Sequence, residues 1–162
     1  MITTDFLGNK WDIDCMGCAI SGAAMSVPGG LIQKTEHFCV HQDPLIPLPG
    51  FLVIASLRHI QSISEMGEPE YEEFSRLLRI AHTAIKAATG IDYLTLVQEE
   101  HSIHFHLWFF PWTQGVIERF GRPCLTNIRE IMLSYQKQSI SQAEWKKLKT
   151  SIEQIKQGWH KL

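Results

Sequence analysis

Large apolar residues alternate with histidines and other residues along residues 102–109, the most strongly patterned stretch of the chain. In an extended strand, successive side chains point to opposite sides, so the alternation separates a large apolar side from a polar side that carries two histidines. The apolar side comprises Ile103, Phe105, Leu107 and Phe109, and the polar side comprises Ser102, His104, His106 and Trp108. This pattern predicts a strand that buries one side in a core and presents two imidazoles to a cleft.

The rest of the pattern predicts an α+β fold. Strand-like runs of apolar and β-branched residues occupy residues 31–35, 37–41, 51–55 and 93–98. A long helix follows the third run, with Pro69 in its first turn, Gly90 just past its end and apolar residues at helical spacing between them. Because the strands are joined mainly by short turns, we expect an antiparallel sheet of about five strands with this helix packed on it.

Beyond residue 112 the pattern becomes helical. Residues 126–137 predict one helix, and a capping box at residues 141–144 predicts the start of another. An apolar stripe spaced by three and four residues runs from Trp145 to Leu162. The stripe could fold back onto its own domain, which we favour, or form a dimer contact. We therefore predict a main domain at residues 1–112 and a helical extension at residues 113–162 packed on the same domain.

Composition narrows the class of protein. The chain has 162 residues and a formal net charge of −2, which disfavours electrostatic binding of nucleic acid. No stretch approaches the length of a membrane span, and the first residues do not have the pattern of a signal peptide. Four cysteines without an export signal predict thiols in a reducing cytoplasm. Cys39 and Cys124 stand alone in apolar surroundings, and we expect both to be packing residues.

The other two cysteines form a Cys-x-x-Cys turn, Cys15 and Cys18, which suggests a metal site. Structural zinc commonly takes two thiolates from such a turn and two imidazoles from elsewhere. The histidines that could supply them are His37, His41, His59, His101, His104 and His106, with His82 and His160 less plausible. A redox pair is the alternative, although no thioredoxin-like βαβ pattern surrounds the turn.

Taken together, these segments resemble the histidine triad family, whose motif alternates three histidines with apolar residues. His104-Phe-His106-Leu-Trp108-Phe-Phe-Pro111 is similar to that motif. Cys15 and Cys18 are similar to the zinc-type turn of bacterial members, and residues 41–59 are similar to their stretch of aspartate, prolines, apolar strand and histidine. The resemblance covers about residues 12–112 and departs from the motif at Trp108, where the third histidine is expected.

The resemblance implies a nucleotide-binding domain, usually dimeric, that cleaves its substrate at the α-phosphate. It implies a structural zinc ion held by Cys15, Cys18, His59 and His104. The catalytic strand would carry His106 as the nucleophile that forms a nucleotidyl-histidine, with His104 and Trp108 on either side of it. A neutral histidine whose Nδ1–H is held by a carbonyl group presents Nε2 for such an attack.

Other residues are candidates for binding the nucleotide. Asp43 could accept hydrogen bonds from ribose hydroxyls, or it could simply form the turn before a proline. Gln98, His101, Ser102 and Trp108 lie near enough in sequence to donate hydrogen bonds to phosphate oxygens.

The register of the motif can be set in two ways. In one register, His104 and His106 are the second and third triad histidines, His104 is the nucleophile and Ser102 stands where a zinc ligand belongs. In the other, His104 is the ligand and His106 the nucleophile. We prefer the second because a serine is a poor partner for two thiolates and because it places Pro111 three residues after the third triad position.

Three functions are consistent with the sequence. We favour a nucleotidyl hydrolase or transferase acting on a dinucleoside polyphosphate, a nucleoside phosphoramidate or a similar compound. The second is a nucleotide-binding sensor or partner protein that has lost useful turnover. The presence of Trp108 in place of the third histidine would be the sign of that loss. The third is a zinc-stabilised interaction module whose C-terminal helices bind a partner.

Overall fold

A computed structural model describes all 162 residues. It contains seven strands, five α-helices and one short 3-10 turn. In chain order these are β1 (Ile2–Thr4), β2 (Lys10–Asp12), α1 (Met16–Ser21), β3 (Leu31–Lys34), β4 (Phe38–Gln42), β5 (Leu52–Ser56), the 3-10 turn (Ile63–Glu65), α2 (Glu68–Thr89), β6 (Leu94–Val97), β7 (His106–Pro111), α3 (Gln114–Phe120), α4 (Leu125–Gln136) and α5 (Gln142–Trp159).

Five strands form the central sheet in the order β3-β4-β5-β7-β6, and every neighbouring pair is antiparallel. The predicted α+β class and five-stranded antiparallel sheet are therefore confirmed. Cross-strand pairing places His41, Val53, Trp108 and Val97 in one row across four strands. Paired residues point to the same face of a sheet, so this row and the neighbouring His106 define one face.

The opposite face of the sheet carries the largest core. Helix α2 begins with Pro69 in its first turn and ends at Gly90, whose φ of 67° is the left-handed conformation that glycine adopts without strain. Helix α5 opens with the predicted capping box at Ser141 and Glu144. Both helices contribute to one buried cluster with the sheet, which includes Phe38, Ile54, Phe109, Phe74, Leu77, Ile85, Leu148, Ile152 and Trp159.

The apolar stripe is covered within the chain from Leu148 to Trp159, whereas Leu162 lies past the end of α5 and is exposed. Ile152 and Ile155 are fully buried, and α5 packs on α2. Where the main domain ends and whether the chain forms a dimer stay predictions.

The histidine-bearing face of the sheet has a thinner cover. The β1–β2 hairpin and helix α1 lie beside it. Ile13, just after β2, and Ala19 and Ile20 of α1 pack with Val53 and Ala55 of β5. No helix of the chain has both the length and the apolar character needed to cross a membrane.

Two expectations about buried residues were wrong. Ile103 is 58% exposed, because residues 101–104 form a turn and a bend, and the regular strand begins only at His106. Alternation therefore does not extend to Ile103. Cys124 is exposed at the N-cap of α4, where its Sγ lies 3.0 Å from Thr126 Oγ1. Cys39, in contrast, is fully buried as expected.

Candidate functional site

Three separate segments bring two thiols and two imidazoles together. Cys15 is the N-cap of α1 and Cys18 lies in its first turn, His59 follows β5, and His104 precedes β7. Their ligand atoms all lie within 4.8 Å of one another, so these four residues could hold a metal ion. This is the set that the resemblance to the histidine triad family implied. Ser102 is not part of it, and neither is any other histidine.

The distances between these atoms fit a tetrahedral zinc site. Cys15 Sγ lies 3.7 Å from His59 Nδ1 and 3.4 Å from His104 Nδ1, and Cys18 Sγ lies 3.1 Å and 3.5 Å from the same two atoms. Zinc bonds of about 2.3 Å to sulfur and about 2.0 Å to nitrogen, at tetrahedral angles, separate sulfur from nitrogen by about 3.5 Å. The residues present therefore match zinc in chemistry and in spacing.

The surroundings of His104 favour the form of imidazole that a metal requires. Its Nε2 lies 2.7 Å from the carbonyl oxygen of Ser56, to which it donates a hydrogen bond, so Nδ1 carries the lone pair that faces the thiols. Burial lowers the pKa of His104, which keeps the ring neutral. Burial and the neighbouring Cys15 raise the pKa of Cys18, and a bound cation is what would favour its thiolate form.

An ion pair positions the segment that carries His59. The guanidinium group of Arg58 donates to both carboxylate oxygens of Glu70 on α2, over 3.1 Å and 2.8 Å. It also donates to the carbonyl oxygen of Glu65 over 2.8 Å. The short loop after β5 is thereby tied to the helix on the far side of the sheet.

His106 is arranged differently from His104. It is half-buried near the start of β7, and its Nδ1 donates over 2.9 Å to the carbonyl oxygen of His104. Its Nε2 is therefore the basic nitrogen. The ring lies 5.3 Å from that of Trp108, centroid to centroid. A neutral imidazole with a free Nε2 can act as a nucleophile or as a general base.

Two cavities meet at His106 and Trp108. The larger, about 280 Å³, lies towards β4 and β5 and is mostly apolar, with His41, Asp43, Val53, Ile103, His104 and Cys15 among its walls. The smaller, about 200 Å³, lies towards β6 and is walled by Val97, Glu99, His101 and Ser102. No lysine or arginine lines either cavity.

Asp43 both forms a turn and faces the larger cavity. Its Oδ1 accepts hydrogen bonds from the backbone N–H groups of Leu45 and Ile46, each over 2.8 Å. Its Oδ2 makes no hydrogen bond within the protein. Burial raises the pKa of Asp43 to about 6, although the two N–H groups oppose that shift.

The other predicted nucleotide-binding residues are dispersed. Ser102 lines both cavities, but its Oγ lies within hydrogen-bonding distance of the carbonyl oxygens of Glu99 and His104, which use its only proton. His101 is exposed at the smaller cavity. Gln98 lines neither cavity, and its buried Nε2 has no partner. Their binding roles stay predictions.

A larger open groove, about 600 Å³, runs between residues 2–8 and the loop before α5. No histidine or cysteine lines this groove. Since the imidazoles and thiols all lie elsewhere, the cavities beside His106 are the better candidates for chemistry.

From the sequence, His41 was considered only as one of several possible zinc ligands. In the structure it lies outside the cluster of thiols and imidazoles and lines the larger cavity. A polar residue at an inward-facing strand position, two residues before Asp43, was the signal that could have pointed to it.

Comparison with solved structures assigns the fold to a class. The chain is similar to a hypothetical histidine triad nucleotide-binding protein from Sulfolobus tokodaii, with a TM-score of 0.64, 16% identity and coverage of 91% of this chain and 93% of that one. It is also similar to a Hit-like protein involved in cell-cycle regulation from Bartonella henselae, with a TM-score of 0.63, 13% identity and coverage of 91% and 98%.

A third similar structure is a zinc-bound histidine triad family protein from Mycobacterium smegmatis, with a TM-score of 0.55, 16% identity and coverage of 83% and 95%. No protein-family model matches the sequence, and no curated protein matches it significantly. The chain thus has the fold of the histidine triad proteins at low sequence identity. The resemblance predicted from the motif is supported at the level of fold.

Proposed function

We propose that the chain is a nucleotidyl hydrolase or transferase of the histidine triad type, with His106 as its nucleophile. The observation that carries the proposal is the state of His106: its Nδ1 donates to a backbone carbonyl group, so Nε2 is left free at the junction of two cavities. The fold adds support, because similar structures include a histidine triad nucleotide-binding protein.

The reaction would proceed in two displacements. His106 Nε2 attacks the α-phosphorus of a nucleotide, a P–N bond forms, and the bond to the leaving group breaks with its electron pair, which then takes a proton. Water or another acceptor next attacks the phosphorus, loses its proton and displaces His106 with both electrons of the P–N bond. The nucleoside would occupy the larger, apolar cavity with Asp43 near its ribose, and the leaving group the smaller one.

Trp108 would take a passive part in this chemistry. Its indole has one N–H donor and no acceptor, so it could donate to a phosphate oxygen but could not exchange protons as a third histidine would. Its ring packs edge-on against Phe51 with centroids 5.9 Å apart, which fixes it as a wall between the two cavities.

The metal site would be structural. Cys15, Cys18, His59 and His104 would hold zinc, and the ion would stabilise the segments that enter the strand of His106.

The direct test is the intact mass of the protein after brief incubation with adenylyl, guanylyl and uridylyl donors. We expect a covalent nucleotidyl adduct in the wild type that is absent from His106→Ala and retained in His82→Ala, a control on helix α2. An adduct that survives in His106→Ala would assign the nucleophile to another residue.

A nucleotide-binding protein without useful turnover is the second candidate. The observation that favours it is the lack of any lysine or arginine around the two cavities, since these side chains commonly stabilise charge that develops on phosphate. Saturable nucleotide binding without an adduct or released product would support this alternative.

A further inference from the structure

His41 is a buried histidine with one nitrogen unused. Its side chain sits on the cavity face of β4 and is only 2% exposed. Nδ1 lies 2.8 Å from the carbonyl oxygen of Gln42. A carbonyl oxygen can only accept, so Nδ1 carries the proton and Nε2 carries the lone pair. No donor reaches that Nε2 within the protein.

The neighbouring residues cannot supply the missing donor. The cross-strand partners of His41 are Leu31 and Val53, and both side chains are apolar. Burial lowers the pKa of His41 to about 4, so the ring is neutral near pH 7 and cannot turn Nε2 into a donor. An unsatisfied buried acceptor is costly and calls for a partner.

The wall of the cavity near His41 therefore offers acceptors. Asp43, two residues further along the chain and just past the end of β4, has a carboxylate Oδ2 that makes no hydrogen bond within the protein. Both residues line the cavity that also contains His106. A ligand that satisfies both must bring at least two hydrogen-bond donors.

We propose that His41 is a specificity-determining residue whose Nε2 accepts a hydrogen bond from the nucleoside part of the bound ligand. The inference rests on the proposed function, because it takes the larger cavity to be the nucleoside site. The donor is either the 2′-hydroxyl of the ribose, next to the 3′-hydroxyl taken by Asp43, or an N–H group of the base. Together, Nε2 of His41 and Oδ2 of Asp43 would favour nucleosides that carry hydrogen-bond donors at both positions.

Binding of nucleoside monophosphates by the zinc-loaded protein, measured by calorimetry, tests the proposal. His41→Phe keeps a ring of similar size without nitrogen, and His41→Gln restores an acceptor near the position of Nε2. His82→Gln on helix α2 is a matched control for loss of a histidine away from the site. The ligands are the adenine, guanine, cytosine and uracil ribonucleotides, each paired with its 2′-deoxy form.

We expect His41→Phe to bind its preferred ribonucleotide about tenfold more weakly than the wild type, with partial recovery in His41→Gln and no change in His82→Gln. If the donor is the 2′-hydroxyl, the wild type prefers ribose to deoxyribose and His41→Phe loses that preference. If the donor belongs to the base, the ribose preference persists and discrimination among the four bases shrinks instead.

Two outcomes overturn the inference. One is an equal loss for all eight ligands in His41→Phe, which would give His41 a purely structural role. The other is unchanged binding in His41→Phe, which would mean that Nε2 is satisfied by an internal water molecule. Failure of the wild type to bind any of the ligands would instead overturn the proposed function itself, and this inference with it.

Discussion

Replacing Gly17 by alanine should weaken metal binding, although the same change would usually stabilise a helix. Gly17 lies between Cys15 and Cys18 in α1. A Cβ at this position would stand 2.3 Å from two carbon atoms of the His104 ring and 2.8 Å from its Nδ1. The absence of a side chain is therefore what lets the thiol turn approach His104 closely.

The size of the effect follows from these distances. Ordinary contact begins at 3.4 Å, so the ring of His104 must retreat by 3.4 − 2.3 ≈ 1.1 Å. Metal–ligand distances tolerate only about 0.2 Å. The ring is also held by its hydrogen bond to Ser56, which limits compensating movement. We expect zinc affinity to fall by about 100-fold, which is about 2.7 kcal/mol.

The assay is competition for zinc against a chelator of known affinity, together with thermal unfolding of the zinc-loaded and metal-free forms. Gly158→Ala in α5 is the matched control, since no atom lies within 4 Å of a Cβ built there. That variant should gain up to about 1 kcal/mol of stability in both forms, from helix propensity alone.

Zinc affinity equal to that of the wild type in Gly17→Ala would refute the reasoning. It would mean either that His104 is not a ligand or that α1 does not approach it as closely as the structure has it. A loss of stability that is as large in the metal-free form would point to a packing defect instead of a defect in the metal site.

Purified protein should contain close to one zinc per chain by metal analysis, and Cys15→Ser should lose zinc and melt at a lower temperature; a reversible disulfide with no zinc would contradict this. His104→Ala should lose zinc and stability, whereas His106→Ala should stay folded and zinc-loaded without forming an adduct; a folded, zinc-replete but inactive His104→Ala would reverse the register. Asp43→Asn should raise the free energy of unfolding by about 3 kcal/mol at pH 7, because the pKa of Asp43 is raised from 3.8 to about 6 on folding. That advantage should shrink as the pH falls from 6 and vanish below about 4, where the folded and unfolded carboxyl groups are both protonated; a pH-independent difference in denaturant titrations would argue against it. Ile152→Ala should cost about 2–5 kcal/mol in the same titrations, since Ile152 is fully buried where α5 meets the core, and a cost near zero would show that α5 is only loosely attached.

The long elements of the fold could be predicted because their signals are local. Helix α2 is predicted by the helical spacing of its apolar residues, by Pro69 in its first turn and by Gly90, which adopts the left-handed conformation at its end. The short elements could not be found in the same way. Helix α1 has six residues, fewer than two turns, so it shows no periodicity, and the three-residue strands β1 and β2 show no alternation that stands out.

The site was only partly predictable for a different physical reason. The set of four metal-binding candidates came from a resemblance to a family. The separation of His59 and Cys15 along the chain does not indicate that they are close, because only the fold brings them together. Alternation failed at Ile103, because the chain turns before β7 and buries both His104 and Phe105. The unpaired Nε2 of His41 depends on which neighbours lie across the sheet, and that is a property of pairing and not of the strand itself.

The candidate metal site (Cys15, Cys18, His59 and His104) and the proposed nucleophile are linked through His104. The Nδ1 of His104 faces the thiols, while the backbone carbonyl group of His104 accepts the hydrogen bond that fixes the tautomer of His106. The ring of His104 is held in turn by Ser56 on β5, the strand that pairs with β7. A displacement of His104 therefore shifts both the ligand atom and the carbonyl group on which the basic Nε2 of His106 depends. Through this coupling, the proposed structural metal would influence the proposed chemistry at His106.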